Sequence, residues 1–302
     1  MEKKLKNYIG HWSQKYNIPT AFDVDLRKFT YFYIGGKAHV LLSPTNLTQI
    51  QQCVQLCLDW QITPRILGKG SNLLIATSQI PVVISTKNLC GYSVKDDNVI
   101  AQSGASLAIV VRKAVFCGLA LEKLVGIPGT VGGAVYGNAG TKVGNALYAT
   151  GDFVEQVTTI SLHDAFVKTW TKPQLKFAYR SSNLHNELIV EVSMKIPRDK
   201  PTVLIASWKE LARKKSAAQP YKSKSAGCIF RNPSHLPAWK LIHQAKLSNF
   251  CIGDIMVSPQ HANFIVNKGN GCAQDVLQVI ANIQQRIFEE FGIRLVLEIQ
   301  IW

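Results

Sequence analysis

The chain has 302 residues with 34 basic against 19 acidic side chains, a formal charge of +15, so it can form two or three domains with substantial cores and its partners are expected to be anionic. No apolar run approaches the roughly 20 residues of a membrane span, and lysines at positions 3, 4 and 6 lead into a polar, aromatic stretch from Tyr8 to Tyr16 without a signal core, so a cytoplasmic protein with no membrane partner is expected. Seven cysteines (Cys53, Cys57, Cys90, Cys117, Cys228, Cys251, Cys272), with no Cys-x-x-Cys pair, argue against a disulfide framework and a zinc site; the seven histidines show no His-Glu-x-x-His, and no metal is expected.

In chain order, a first glycine turn lies in Thr30-Tyr-Phe-Tyr-Ile-Gly-Gly-Lys-Ala38. Leu47, Ile50, Val54, Cys57 and Leu58 then form a helical stripe with Thr45 as its expected N-cap, and Cys53 and Cys57 read as packed neighbours. Ile66-Leu67 and Val82 to Ile84 read as strands around a second glycine turn, Leu67-Gly-Lys-Gly-Ser-Asn-Leu-Leu74. Val99 to Gln102 reads as a strand and Ser106 to Cys117 as a helix stopped by Gly118. Strands are expected over Val154 to Leu162 and Leu188 to Met194, and Ile196 to Pro201 looks like a boundary. Beyond it come a helix from Val203 to Lys215, a strand and turn from Ser225 to Pro233, and a helix from Leu236 to Lys246. Val276, Ile280, Ile283, Ile287 and Phe291 make one apolar face stopped by Gly292, and a final strand from Arg294 to Ile301 carries Glu298.

The third glycine segment, residues 126–140, holds six glycines and one proline in fifteen residues. Such a backbone turns sharply and can offer successive N–H groups to phosphate, where each charge-assisted bond contributes about 1.5–3 kcal/mol. A Cβ on a central glycine would obstruct that approach. The competing reading is a glycine-rich surface loop. None of the three segments fits Gly-x-Gly-x-x-Gly opening a helix, or a P-loop.

The three glycine motifs, in this order, resemble those of the UDP-N-acetylenolpyruvoylglucosamine reductase family, the flavin reductases of peptidoglycan precursor synthesis. Tyr179-Arg180-Ser181-Ser182 resembles the family's Tyr-Arg-x-Ser, and residues 225–233 its Ser-Ala-Gly-Ser/Cys-x-Phe-x-Asn-Pro. Residues 258–267 resemble its Ser-x-x-His-Ala-x-Phe-x-x-Asn, and Leu297-Glu298 falls where the family has a C-terminal glutamate. The resemblance runs nearly end to end. It implies an α+β fold: a two-lobed FAD-binding region of the PCMH/vanillyl-alcohol-oxidase type over 1–85 and 86–200, then a substrate domain over 201–302. Noncovalent FAD, NADPH as reductant and a UDP-linked amino-sugar substrate follow from it, in the shorter class without a tyrosine-bearing loop. A monomer without nucleic acid is expected.

By the same resemblance the cofactor-binding residues are Tyr33, Ile34, Gly35, Gly36, Leu67, Gly68, Gly70, Ser71, Asn72, Leu73, Gly126, Pro128, Gly129, Thr130, Gly132, Gly133, Asn138, Ala139 and Gly140. Arg180 and Glu298 match groups that stabilise an enol-like intermediate, Cys228 the proton donor, and Arg213 and Asn232 substrate contacts, with Lys214 and Lys215 as alternatives to Arg213. Each has a plainer reading: a salt-bridged arginine, a structural carboxylate on the face shared with Gln300, a buried small cysteine. His261 reads as structural, among core-like Ala262, Phe264 and Val266. Gln300 and Trp239 depart from the family pattern. An FAD oxidase of the wider superfamily, and a basic nucleic-acid-binding protein, are the alternative functions.

Overall fold

The computed structural model describes every residue except Met1 and His235, and all side chains but theirs and that of Glu2. The chain forms two compact units. The first comprises Met1–Val24, Ala38–Lys69 and Ile80–Arg213, and the second Asp25–Lys37, Gly70–Gln79 and Lys214–Trp302. No helix among the described residues is long and apolar enough to cross a membrane.

In the first unit, the sequence from Tyr8 to Tyr16 contributes to a helix, Glu2–Lys15, that buries Leu5 and Ile9. The helix Leu47–Asp59 forms as its apolar stripe predicts, but Asn46 caps it: the Asn46 side chain accepts the Gln49 N–H at 2.9 Å, while Thr45 donates its hydroxyl to Gln49 Oε1. Cys53 and Cys57 pack into its core with Val40, Leu42, Val82 and Ile84. A five-stranded sheet of this unit is antiparallel throughout, in the order Val167–Thr171, Val154–Ser161, Glu187–Lys195, Asn98–Gln102, Tyr92–Lys95. Its apolar face is covered by the helices Leu107–Phe116 and Val131–Tyr136.

In the second unit, the helix Ala273–Phe291 buries Val276, Val279, Ile280, Ile283 and Ile287, and Gly292 ends it at φ 66°. Phe291, expected on that face, is exposed. The helix packs with Ala238–Gln244 and with the antiparallel strands Cys251–Ile252, Ile255–Val257 and Ile265–Asn267, in a core joined by Phe32, Ile34 and Leu74. The expected helix over 236–246 begins only after Pro237, which has no N–H to give an earlier turn. No regular strand forms over 225–233, and the C-terminal strand shrinks to Gln300–Ile301.

Inside the first unit the bareness of the third glycine segment serves the protein's own packing. A Cβ at Gly132 would lie 2.7 Å from Ser103 Cβ, and one at Gly140 2.4 Å from the Tyr148 carbonyl, whereas at Gly133 the nearest atom would be Thr130 Oγ1 at 3.4 Å. Gly132→Ala is therefore expected to lose about 1–3 kcal/mol in urea unfolding by overpacking, with Gly133→Ala within about 1 kcal/mol of the parent. Equal midpoints for Gly132→Ala and parent would contradict this packing.

Burial also pushes the Cys57 thiol up to about 12, and Cys53 higher, from an ordinary 9.0. The unfolded chain ionises first, so these thiols make stability fall as the pH rises above 9.0. Both should resist alkylation in the native protein and react only on unfolding, as read by peptide mass spectrometry.

Candidate active site

Thr130 caps the helix Val131–Tyr136, its Oγ1 accepting the Gly133 N–H at 3.2 Å. The Val131 and Gly132 N–H groups donate to the Ala105 and Ser103 carbonyls, both at 2.9 Å. Three successive donors, two of them on Gly132 and Gly133 expected to face phosphate, are thus engaged within the chain. Elsewhere in this unit the N–H groups of Gly68, Lys69, Gly129 and Thr130 meet no acceptor among the described residues. Ser103 Oγ, beside Gly132, is buried with no partner among them.

Arg180 sits in the two-residue turn joining strands Phe177–Ala178 and Ser181–Ser182, at φ 56°. A long side chain rarely adopts that conformation; holding it costs on the order of 1–3 kcal/mol. Three bonds offset the strain by fixing the hairpin to the end of the glycine segment. Arg180 Nη2 donates to the Gly140 carbonyl at 2.9 Å, Ser182 Oγ to the Tyr136 carbonyl at 2.7 Å, and Asn138 Nδ2 to the Ala178 carbonyl at 2.8 Å. Asn138 Oδ1 also accepts the Gly151 N–H, and the Ala139 carbonyl accepts both the N–H and the hydroxyl of Thr150. The Asn138 carboxamide is therefore a tie between chain segments.

The second unit builds an irregular sheet from segments that the sequence alone leaves apart. Gln300–Ile301 pairs in parallel with Leu73–Leu74, Leu297 bridges Phe230, and Cys228 bridges Phe264 next to the strand Ile265–Asn267. Glu298 donates its N–H to the Ile229 carbonyl at 2.8 Å, so the half-buried Cys228 and Glu298 lie on adjoining segments. Val296 and Gln300 are exposed while Leu295 and Ile299 are buried, which puts Glu298 and Gln300 on the face away from the core, as alternation requires. Asn72 joins both: its Nδ2 donates to the Glu298 carbonyl at 3.1 Å, and its carbonyl accepts the Gln300 N–H at 3.0 Å. Desolvation, with a smaller effect from nearby Cys228, pushes Tyr221 up to about 12.

The first two glycine motifs meet in this unit. Tyr31 donates its N–H to the Gly70 carbonyl, a Cβ at Gly70 would lie 2.2 Å from the Phe29 carbonyl, and one at Gly36 2.1 Å from that of Thr77. Tyr33 holds φ 58° beneath the Lys224 ammonium, and Asn267 Nδ2 donates to the Phe32 carbonyl. Five backbone donors here, from Gly35, Gly36, Gly70, Ser71 and Asn72, meet no acceptor among the described residues. Donors of this kind on bare backbone fit a bound diphosphate, such as that of FAD.

The remaining candidates are less convergent. Arg213 and Lys214 are exposed on the helix Pro201–Ala218, and Asn232 Oδ1 accepts the Ala238 N–H at the start of the next helix. Trp239 lies against His261, which makes an edge contact with Phe264. Burial lowers the pKa of His261, and its Nδ1 has no partner among the described residues. Asn263, 2% exposed, was not singled out by the sequence; it grips Phe230 with both arms of its carboxamide. Only its place between two motif residues, Ala262 and Phe264, could have drawn attention to it.

Comparison with known proteins agrees with this architecture. The family model described as FAD binding domain matches residues 38–167, and that described as UDP-N-acetylenolpyruvoylglucosamine reductase, C-terminal domain, matches residues 219–302. The UDP-N-acetylenolpyruvoylglucosamine reductase of Clostridium botulinum is 36% identical over 303 residues, covering 99% of this chain and 97% of its own. UDP-N-acetylenolpyruvoylglucosamine reductase 2 of Bacillus cereus is 34% identical over 283 residues, covering 92% and 91%. The crystal structure of the Thermus caldophilus reductase superposes with a TM-score of 0.79 at 32% identity, covering 94% of this chain and 98% of that one. The mixed helices and sheets, with an FAD binding domain ahead of a distinct C-terminal domain, bear out the expected α+β class. A chain so similar over nearly its whole length belongs to the UDP-N-acetylenolpyruvoylglucosamine reductase family of flavin oxidoreductases.

Proposed function

We propose that the chain reduces UDP-N-acetyl-3-O-(1-carboxyvinyl)-glucosamine to UDP-N-acetylmuramate, using NADPH and noncovalent FAD, as a cytoplasmic monomer with no nucleic-acid partner. The observation that carries this reading is the seating of Cys228 and Glu298 on adjoining segments, in the unit whose Gly35, Gly36, Gly70, Ser71 and Asn72 N–H groups are left for a ligand. FAD, when bound, supplies hydride transfer from NADPH to the enolpyruvyl double bond. The protein's part is to bind, orient and protonate.

The glycine-loop N–H groups hold the cofactor's diphosphate by charge-assisted bonds. The Arg180 guanidinium takes the substrate carboxylate, and Glu298, as the protonated acid, donates its O–H to the developing enol, so that negative charge arising on the carboxyvinyl group meets donors. Cys228 then gives its thiol proton to the carbon next to the one that received hydride, and the thiolate recovers a proton from solvent. Arg213, Lys214 or Lys215 supplies a cation to the UDP diphosphate, and Asn232 a further contact. The positive φ of Arg180 supports its role, because a conformation that costs stability is kept here by three dedicated bonds.

Rapid mixing separates the two halves of the reaction. Cys228→Ala should be bleached by NADPH at near the parent rate and then recover flavin absorbance with the enolpyruvyl nucleotide on the order of 10²- to 10⁴-fold more slowly. Cys228→Ser should retain appreciable turnover, because position and an exchangeable proton are preserved. An alanine variant that recovers as fast as the parent would reduce Cys228 to a packing residue.

Arg180→Lys keeps the charge but loses the planar fork and the bond to Gly140, so it should fail in the same second half with bleaching intact. Slowing confined to the NADPH step would place Arg180 elsewhere in the cycle.

A further inference from the structure

We propose that Asn263 is a positioning residue for Cys228, an inference that rests on Cys228 being the proton donor. The chain leaves the buried Ala226 and reaches Cys228 through Gly227 at φ 83°, where an added Cβ would meet no atom within 4 Å. Beyond the thiol the backbone is held plane by plane. Ile229 donates its N–H to the Asn263 carbonyl at 2.8 Å; Phe230 donates its own to Asn263 Oδ1 at 3.0 Å; and Asn263 Nδ2 donates back to the Phe230 carbonyl at 2.8 Å. With Glu298 donating to the Ile229 carbonyl and Arg231 to that of Val296, three successive peptide planes beyond Cys228 are fixed.

The carboxamide imitates a neighbouring strand, pairing with both polar groups of one residue as a closely spaced antiparallel pair does. It extends the main-chain pairing of Cys228 with Phe264 beyond the regular strand Ile265–Asn267, which begins two residues later. Phe230 is 0% and Asn263 2% exposed, so water cannot replace either bond. Chemistry makes the side chain hard to substitute. Aspartate lacks the donor and sets a carboxylate against the Phe230 carbonyl, serine is too short for two bonds, and glutamine is a methylene too long. Loosening these planes displaces the thiol while leaving its identity intact.

The test uses FAD-loaded protein and reads both half-reactions in Asn263→Asp and Asn263→Ser. Bleaching by NADPH should stay within about twofold of the parent, while recovery with the enolpyruvyl nucleotide slows on the order of 10²-fold, the scale of a 1 Å misplacement. In a Cys228→Ala background the same changes should add nothing, because the group they position is gone. Parent-like recovery, equal slowing of both halves, or a fully additive effect with Cys228→Ala would overturn the proposal. Parent-like recovery in Cys228→Ala alone would show instead that the proton-donor reading has failed, and this inference with it. Should neither variant fold, amide hydrogen exchange on the parent decides: Ile229 and Phe230 should exchange only through global unfolding, and exchange at the rate of an open loop would refute the clamp.

Discussion

Buried main-chain N–H and C=O groups must find partners, and in the second unit that requirement falls on irregular segments that meet it only in part among themselves. Residues 227–231 and 294–299 do not form regular strands, yet Phe230, Ile229, Leu295 and Ile299 are buried. Side-chain amides complete the pairing. Asn263 serves Phe230, Asn72 serves Glu298, and Asn267 serves Phe32, Gly269 and Gly271; Gln260 gathers the carbonyls of Ala217 and Gln219 at the end of a helix. The Asn263 amide, bonded at both ends, has one orientation, so the backbone beyond Cys228 is fixed without being stiffened into a strand.

The first unit meets the same constraint with glycine. Gly132 lets Ser103 approach closely enough to accept its N–H, and Gly140 lies against Tyr148 while its carbonyl receives Arg180. Bare backbone here brings chain against chain, and donors that meet no acceptor among the described residues include those of Gly68, Lys69, Gly129 and Thr130. Arg180 shows the consequence for chemistry: its strained turn persists because the surrounding hairpin is pinned on both sides.

The α+β class, the order of the motifs and the long helix Ala273–Phe291 were legible in the sequence, because motif spacing and the 3.6-residue apolar period are local properties. The strands expected over 225–233 and 294–301 were not, since their alternation is real but their partners are other irregular segments, met only once the chain folds. Asn46 rather than Thr45 caps its helix, a choice between neighbours that local preference does not separate. The glycine segment 126–140 stands out in the sequence, but the use of its Val131 to Gly133 N–H groups depends on Ala105, Ser103 and Thr130, the first two far away in sequence. Asn232 and Asn138 belong to motifs, and their carboxamides turn out to bond protein backbone. Asn263, lying between motif positions, carried no signal of its own.

The proposed reduction of an enolpyruvyl nucleotide, with Cys228 and Glu298 carried on adjoining segments of an FAD enzyme, has a direct stoichiometric test. FAD-loaded protein is bleached without oxygen by one equivalent of NADPH and then given one equivalent of UDP-N-acetyl-3-O-(1-carboxyvinyl)-glucosamine. Full return of oxidised-flavin absorbance and one equivalent of UDP-N-acetylmuramate are expected. Protein that stays bleached with the nucleotide and recovers only when oxygen is admitted would contradict the proposed reduction.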